Sequence, residues 1–229
     1  MRLSLLFIPG LLALTGAAFA QDVLWYNGDY HSGAFNNQQG GISDQLLFAD
    51  FRVTDPQGWI IKQIWSNNVP EAPPHDPAPI AQAVWSIRTG MAPGSAGVTL
   101  FGGSGPAQNT PTGRTPFGQP EYELRVTGLD IFLPQGDYWL QVTPIVTNGL
   151  GGTWTTDTIG ENGVNRTSVN DGVSMGRVNN EYTAGSPDYS MGVAGFVEGT
   201  ASDTPEPGNI ALFGAFLLTG VGFARKRRK

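Results

Sequence analysis

The side chains with the chemistry to act are few and scattered. The chain has two histidines, His31 and His75, and no cysteine. Neither histidine stands in His-Glu-x-x-His or in any two-histidine metal spacing. His75 sits in Pro73-Pro74-His75-Asp76-Pro77, a proline-rich loop. The lack of cysteine excludes thiol nucleophiles, thiolate metal sites and lipid attachment through sulfur. Gly-x-Ser-x-Gly is absent, and Gly102-Gly103-Ser104-Gly105 lacks the lysine of a phosphate-binding loop.

Carboxylates and aromatics are the remaining candidates. Asp50, Asp55, Glu121 and Glu123 lie in or beside strand-like runs, and a pair of carboxylates can hydrolyse a glycoside. No feature of the sequence sets two of them across a cleft. Glu121 and Glu123 flank Tyr122, which is the alternation of a solvated strand face. Asp22, Asp29, Asp44 and Asp50 form an acidic set near the start of the domain. With backbone carbonyls such a set can ligate calcium, although no EF-hand loop is present. Calcium is therefore the one cofactor the sequence suggests. Trp25, Tyr26 and Tyr30 cluster nearby, and Trp154 lies in a Gly- and Thr-rich stretch; each could stack on a sugar ring. The competing demand is the core, which Trp59, Trp65, Trp85 and Trp139 suit by their strand contexts.

The elements that must position these groups are strands. Runs rich in β-branched and aromatic residues recur at Val23–Asn27, Gln45–Thr54, Gly58–Ser66, Gln82–Thr89, Tyr122–Val126 and Gly136–Thr143. Weaker runs are Gly152–Thr156 and Met191–Val197. Tyr138, Leu140 and Val142 share one face by strict alternation. Pro134-Gln135-Gly136 separates two strand patterns and reads as a turn, resembling a hairpin common in extracellular β-sandwich modules. Val69–Pro79, Met91–Gly97, Gly102–Pro120 and Asn148–Ser190 read as loops. No long segment has a helical period, and the chain holds 32 Gly and 17 Pro. The expected fold is all-β: a two-sheet antiparallel β-sandwich or jelly-roll-like domain over residues 21–197, followed by a polar stalk over 198–204.

Both ends carry the pattern of addresses. Met1-Arg2, an apolar run from Leu3 to Leu14 and a small-residue end at Ala18-Phe19-Ala20 form a secretory signal peptide pattern over residues 1–20. Cleavage after Ala20 leaves Gln21 first. At the other end stand Pro205-Glu206-Pro207, an apolar stretch over 208–224, and the basic cluster Arg225, Lys226, Arg227, Arg228 and Lys229. As a helix the apolar stretch is roughly 25 Å long, a slightly short fit to a bilayer's hydrocarbon layer. The basic cluster stays on the cytoplasmic side and stops export. Proline keeps the preceding segment extended and without backbone donors.

This three-part end, residues 205–229, resembles the PEP-CTERM sorting signal. The resemblance implies that Pro205, Glu206 and Pro207 are recognised by exosortase, a transpeptidase-like membrane enzyme that cuts at or near them. It implies a transient inner-membrane anchor reached through the general secretion machinery, then release to the envelope, outer surface or medium. It also implies association with exopolysaccharide.

Charge agrees with a soluble surface domain. Between Gln21 and Thr204 there are 7 basic and 18 acidic residues, so this part carries a net charge near −11, against −6 for the whole chain. Nucleic acid and anionic lipid are disfavoured as partners. The expectation is a non-enzymatic surface or matrix protein. A carbohydrate- or calcium-binding module is the first alternative, and a secreted hydrolase the second.

Overall fold

Alternation decides which way the strands face. In the strand Gly136–Pro144, Tyr138, Leu140 and Val142 are buried in the main core, and Trp139 points the other way into a small second cluster. The computed structural model describes residues 21–39, 45–70, 80–146, 153–160, 162–165, 174–178, 181–184 and 188–200. The expected signal peptide, the motif Pro205–Pro207, the expected membrane helix, the basic cluster, Asp44 and His75 lie outside the described residues. Residues Gln21–Ala201 form one unit by their contacts.

Among the described residues, fifteen strands build it: β1 (Asp22–Tyr26), β2 (Ala34–Asn36), β3 (Leu46–Val53), β4 (Trp59–Pro70), β5 (Gln82–Thr89), β6 (Val98–Pro106), β7 (Gln108–Pro111), β8 (Tyr122–Val126), β9 (Ile131–Leu133), β10 (Gly136–Pro144), β11 (Thr153–Thr158), β12 (Met175–Val178), β13 (Glu181–Ala184), β14 (Asp188–Tyr189) and β15 (Met191–Val197). They form two antiparallel sheets. One holds six strands in the order β13-β12-β3-β10-β5-β6. The other holds nine, on a path β1-β15-β4-β11-β14 with β2, β7, β8 and β9 attached. The all-β, two-sheet expectation therefore holds. Among the described residues no helix is long and apolar enough to cross a membrane.

The spine of the larger sheet is β4. Along one edge it pairs with β9 and then β8; along the other it pairs with β15 from Trp59 to Ser66 and then with β11 from Asn68 to Pro70. A register shift against β15 leaves Lys62 unmatched. This bulge changes which parity faces the core: Trp59 and Ile61 point in before it, Ile64 after it. Trp65 and Asn67 are thereby turned to the outer face.

Facing side chains fill the space between the sheets. Phe51, Ile87 and Leu140 come from the six-stranded sheet; Trp59, Ile61, Leu124 and Val193 come from the nine-stranded one. At one end this interior becomes polar. Asn37 has no exposure; its amide donates to the Val142 carbonyl at 3.0 Å and to Thr155 Oγ1 at 2.7 Å. Its Oδ1 accepts from Thr143 Oγ1 at 2.8 Å and from the Leu47 amide at 3.3 Å. Thr155 in turn donates to Asn68 Oδ1 at 2.8 Å. One side chain thus ties β3, β10 and β11 together with its hydrogen bonds satisfied, which is the condition for tolerating polar groups in a core.

Several segments expected to be loops are strands. The second half of β6 and all of β7 lie where Gly102–Pro120 reads as loop, and β12, β13 and β14 lie within Asn148–Ser190. β6 is an edge strand, exposed along nearly its whole length, so burial leaves no alternating pattern in its sequence.

Candidate functional site

A cleft opens on the outer face of the nine-stranded sheet. Its volume is about 360 Å³, within the range of small-ligand sites. β1 supplies Val23 and Tyr26, β4 supplies Trp65 and Asn67, and β8 supplies Glu123 and Arg125. Thr110, Pro111, Thr112 and Arg114 come from β7 and the loop after it, and Asp29 from the turn after β1.

The floor is aromatic and the walls are ionic. Tyr26 and Trp65 have ring centroids 5.7 Å apart. The Arg125 guanidinium lies 4.3 Å from the Trp65 centroid, a cation–π contact that holds it over the indole. Arg125 also donates to Glu123 at 2.7 Å and to Gln63 at 2.5 Å. On the opposite wall Arg114 reaches two carboxylates, Asp29 at 2.6 Å and Glu121 at 2.5 Å. Glu121 has no solvent exposure, and Thr112 and Thr156 each donate to it at 2.8 Å. Each arginine is therefore already paired.

Beneath the walls runs a chain of neutral donors. The Tyr26 hydroxyl donates to Asp29 Oδ1 at 2.6 Å. Burial, and then this hydrogen bond, push its pKa well above the usual tyrosine value. Tyr26 is thus a fixed neutral donor. Ser190 Oγ donates to the Gly28 carbonyl at 2.6 Å. With both hydroxyl protons committed, Tyr26 and Ser190 accept from the Asn67 amide nitrogen, each at 2.8 Å. That fixes the amide's orientation. Asn67 Oδ1, on a side chain only 1% exposed, accepts no hydrogen bond from the described residues.

The sequence-derived candidates divide around this cleft. Tyr26 and Asp29 line it. Trp25 does not: it is 2% exposed, and its ring lies 5.3 Å from Phe51 of the other sheet. A register shift between Val23 and Trp25 inserts Leu24 as an extra residue. Simple alternation would place Trp25 beside the exposed Val23; the bulge turns it into the core instead. Tyr30 is half-buried and meets Phe117 edge-on at 5.6 Å. Trp154 is 41% exposed on β11 and does not line the cleft.

The described members of the acidic set are not brought together. Asp22 is exposed on β1 opposite Gly195, whereas Asp50 opposes Trp139 in the other sheet. Asp29 is occupied by Arg114 and Tyr26. Among the described residues no group of three or more His, Asp or Glu side chains is placed to hold a metal ion. Glu121 departs furthest from its solvated-face reading, because the strand begins one residue later and the chain turns its side chain inward toward Thr156. His31 is exposed, and its backbone amide donates to the Asp157 carbonyl.

Sequence reasoning misses Trp65, Asn67, Arg114 and Arg125 as a group. One signal is present: Glu123 and Arg125 stand two apart in a strand, so opposite charges share a face. Nothing local ties them to Arg114 or to β4. No protein-family model, no curated protein sequence and no solved structure matches this chain.

Proposed function

We propose that this chain is an exported, non-enzymatic surface protein that holds polysaccharide in the cleft between Tyr26 and Arg125. It would pass through the general secretion machinery, sit briefly in the inner membrane, and be cut by exosortase at Pro205-Glu206-Pro207. The processed domain would then work at the envelope or outside the cell.

The observation that carries the binding reading is the composition of the cleft. Planar polar side chains with fixed partners (Arg114, Arg125, Asp29, Glu123) stand over an aromatic floor. Such groups meet vicinal hydroxyls with paired donors and acceptors, and their own ion pairs hold them in position beforehand. The hydrolase alternative draws little support from the same geometry. Glycoside hydrolysis needs one carboxyl group to give a proton and another to receive one in an open site. Glu121 is sealed from solvent, and it shares one arginine with Asp29. The sorting reading rests on the three-part C-terminal pattern, in which every part has a distinct physical role.

The direct test is retention of the full-length chain on exopolysaccharide prepared from its native host. Wild type is expected to be retained, and Arg125→Ala is expected to lose at least about tenfold in affinity, the scale of one charge-assisted contact. Free passage of wild type through the matrix would refute the binding reading.

A further inference from the structure

The charges of the cleft select within the saccharides. Resting on the polysaccharide reading, we infer that the cleft takes hydroxyl-rich units that are uncharged or carry an amino group, and excludes acidic sugars.

Two guanidinium groups, Arg114 and Arg125, face three carboxylates, Asp29, Glu121 and Glu123. The local balance is one negative charge in excess. Both arginines already have carboxylate partners at 2.5–2.7 Å, so a uronate entering the cleft gains no unpaired cation. It would displace an existing pair or sit beside Asp29 and Glu123, and like charges at that range cost affinity. The remaining charge of the domain, strongly negative between Gln21 and Thr204, adds to this repulsion at long range.

The hydrogen bonding of Asn67 points the same way. Its Oδ1 is a buried acceptor to which no described residue donates, and its orientation is fixed by Tyr26 and Ser190. Asn67 lines the cleft but this oxygen is closed to solvent, so a ligand reaches it only if side chains shift on binding; a hydroxyl or an ammonium would then satisfy it and a carboxylate would not. The carboxylates of Asp29 and Glu123 extend the same preference along both walls. An ammonium gains the excess charge in addition, whereas a neutral hydroxyl gains hydrogen bonds alone.

The test is calorimetric titration of the full-length chain with three probes of equal length: neutral cello-oligosaccharides, chitosan oligosaccharides and oligogalacturonate. Neutral or amino oligosaccharide is expected to bind at least about tenfold more tightly than oligogalacturonate. Glu123→Gln brings the cleft to neutrality, so it should narrow the gap severalfold. Thr110→Trp places a bulky side chain at the rim of the cleft, on the short strand β7, and should abolish binding. Oligogalacturonate binding as tightly as the others, and lost in Thr110→Trp, would overturn the charge preference and leave the polysaccharide reading standing. Binding of the preferred probe untouched by Thr110→Trp would overturn the assignment to this cleft. If none of the three binds, both the preference and the reading beneath it fall.

Discussion

Arg114 places its Nε 2.5 Å from Oε2 of Glu121, a carboxylate with no solvent exposure, seven residues further along the chain. The backbone closes the same loop: the Glu121 amide donates to the Arg114 carbonyl at 3.0 Å, and the Thr112 amide to the Glu121 carbonyl at 3.0 Å. Removing the guanidinium strands a buried charge, which is far costlier than the pair itself is stabilising. Arg114→Met is therefore expected to lower stability by about 3–5 kcal/mol in urea denaturation. Glu121→Gln keeps most of the threonine hydrogen bonds and should cost less. The double variant should cost clearly less than the sum of the two, and strict additivity would contradict the coupling.

Close backbone approach makes a second prediction. A Cβ on Gly195 would stand 1.9 Å from the Ile60 carbonyl oxygen, where β15 crosses the bulge of β4. The obstacle is backbone and cannot rotate away. Gly195→Ala should cost about 3 kcal/mol, near the upper end for overpacking. At Gly105 no atom lies within 4 Å of the position a methyl group would take, so Gly105→Ala should leave the melting temperature nearly unchanged. Equal effects from the two would remove the steric explanation.

The strands that face the core are legible in the sequence. Tyr122–Val126 and Gln82–Thr89 coincide with β8 and β5 to the residue, because burial on one side imposes alternation on the sequence. β6 is not legible, since an edge strand with Gly102-Gly103-Ser104-Gly105 buries almost nothing and writes no pattern. The bulges are not legible either, and they are what place the site. One turns Trp25 inward and another turns Trp65 outward, so aromatic residues of similar local appearance take opposite roles. Tyr26 and Asp29 stand out because they lie close together in the chain. Arg114, Asn67 and Arg125 join them only through sheet pairing, which no local window contains.

The polar end of the core makes Asn37 a point of failure. Its four hydrogen bonds reach β3, β10 and β11. Asn37→Ala leaves Val142, Thr143, Thr155 and the Leu47 amide without this partner. A loss of about 3 kcal/mol is expected, since orphaned buried groups cost about 1–3 kcal/mol each and partial relaxation offsets some of it. Asn37→Leu should recover little, because restored volume does not restore donors and acceptors. Recovery close to wild type in guanidinium titration would mean that packing, not hydrogen bonding, is what Asn37 supplies.

Two tyrosines with raised pKa values, Tyr189 and Tyr26, are expected to set the alkaline limit. Burial, then the charge of Asp188, raise Tyr189 to about 12, and Tyr26 is raised as well. In the unfolded chain both ionise near about 10. Raised folded-state values mean that stability is intact below about pH 10 and is lost as pH climbs through the folded values. For Tyr189 the loss is on the order of 2–3 kcal/mol. The ultraviolet absorbance of tyrosinate should show these two tyrosines titrating late and together with unfolding. Tyr189→Phe should make stability less sensitive between about pH 10 and 12. An unchanged slope would show that Tyr189 does not set the limit.

The address is tested by mass. If exosortase cuts at or near Pro205-Glu206-Pro207, the protein recovered from the native host should run from Gln21 to about Pro205. The apolar stretch and Arg225–Lys229 should be gone. Glu206→Ala removes the one charged group of the motif while leaving the apolar stretch and the basic cluster untouched. On the sorting reading, stop-transfer then persists but recognition is lost. The variant should therefore accumulate as a membrane-held species retaining Lys229, with its N-terminus still at Gln21. Deleting the host's exosortase should produce the same species from the wild-type chain. A mass that keeps Arg225–Lys229 in the unmodified host would make the segment a permanent single-span anchor. A mass that keeps Met1 as well would refute export itself.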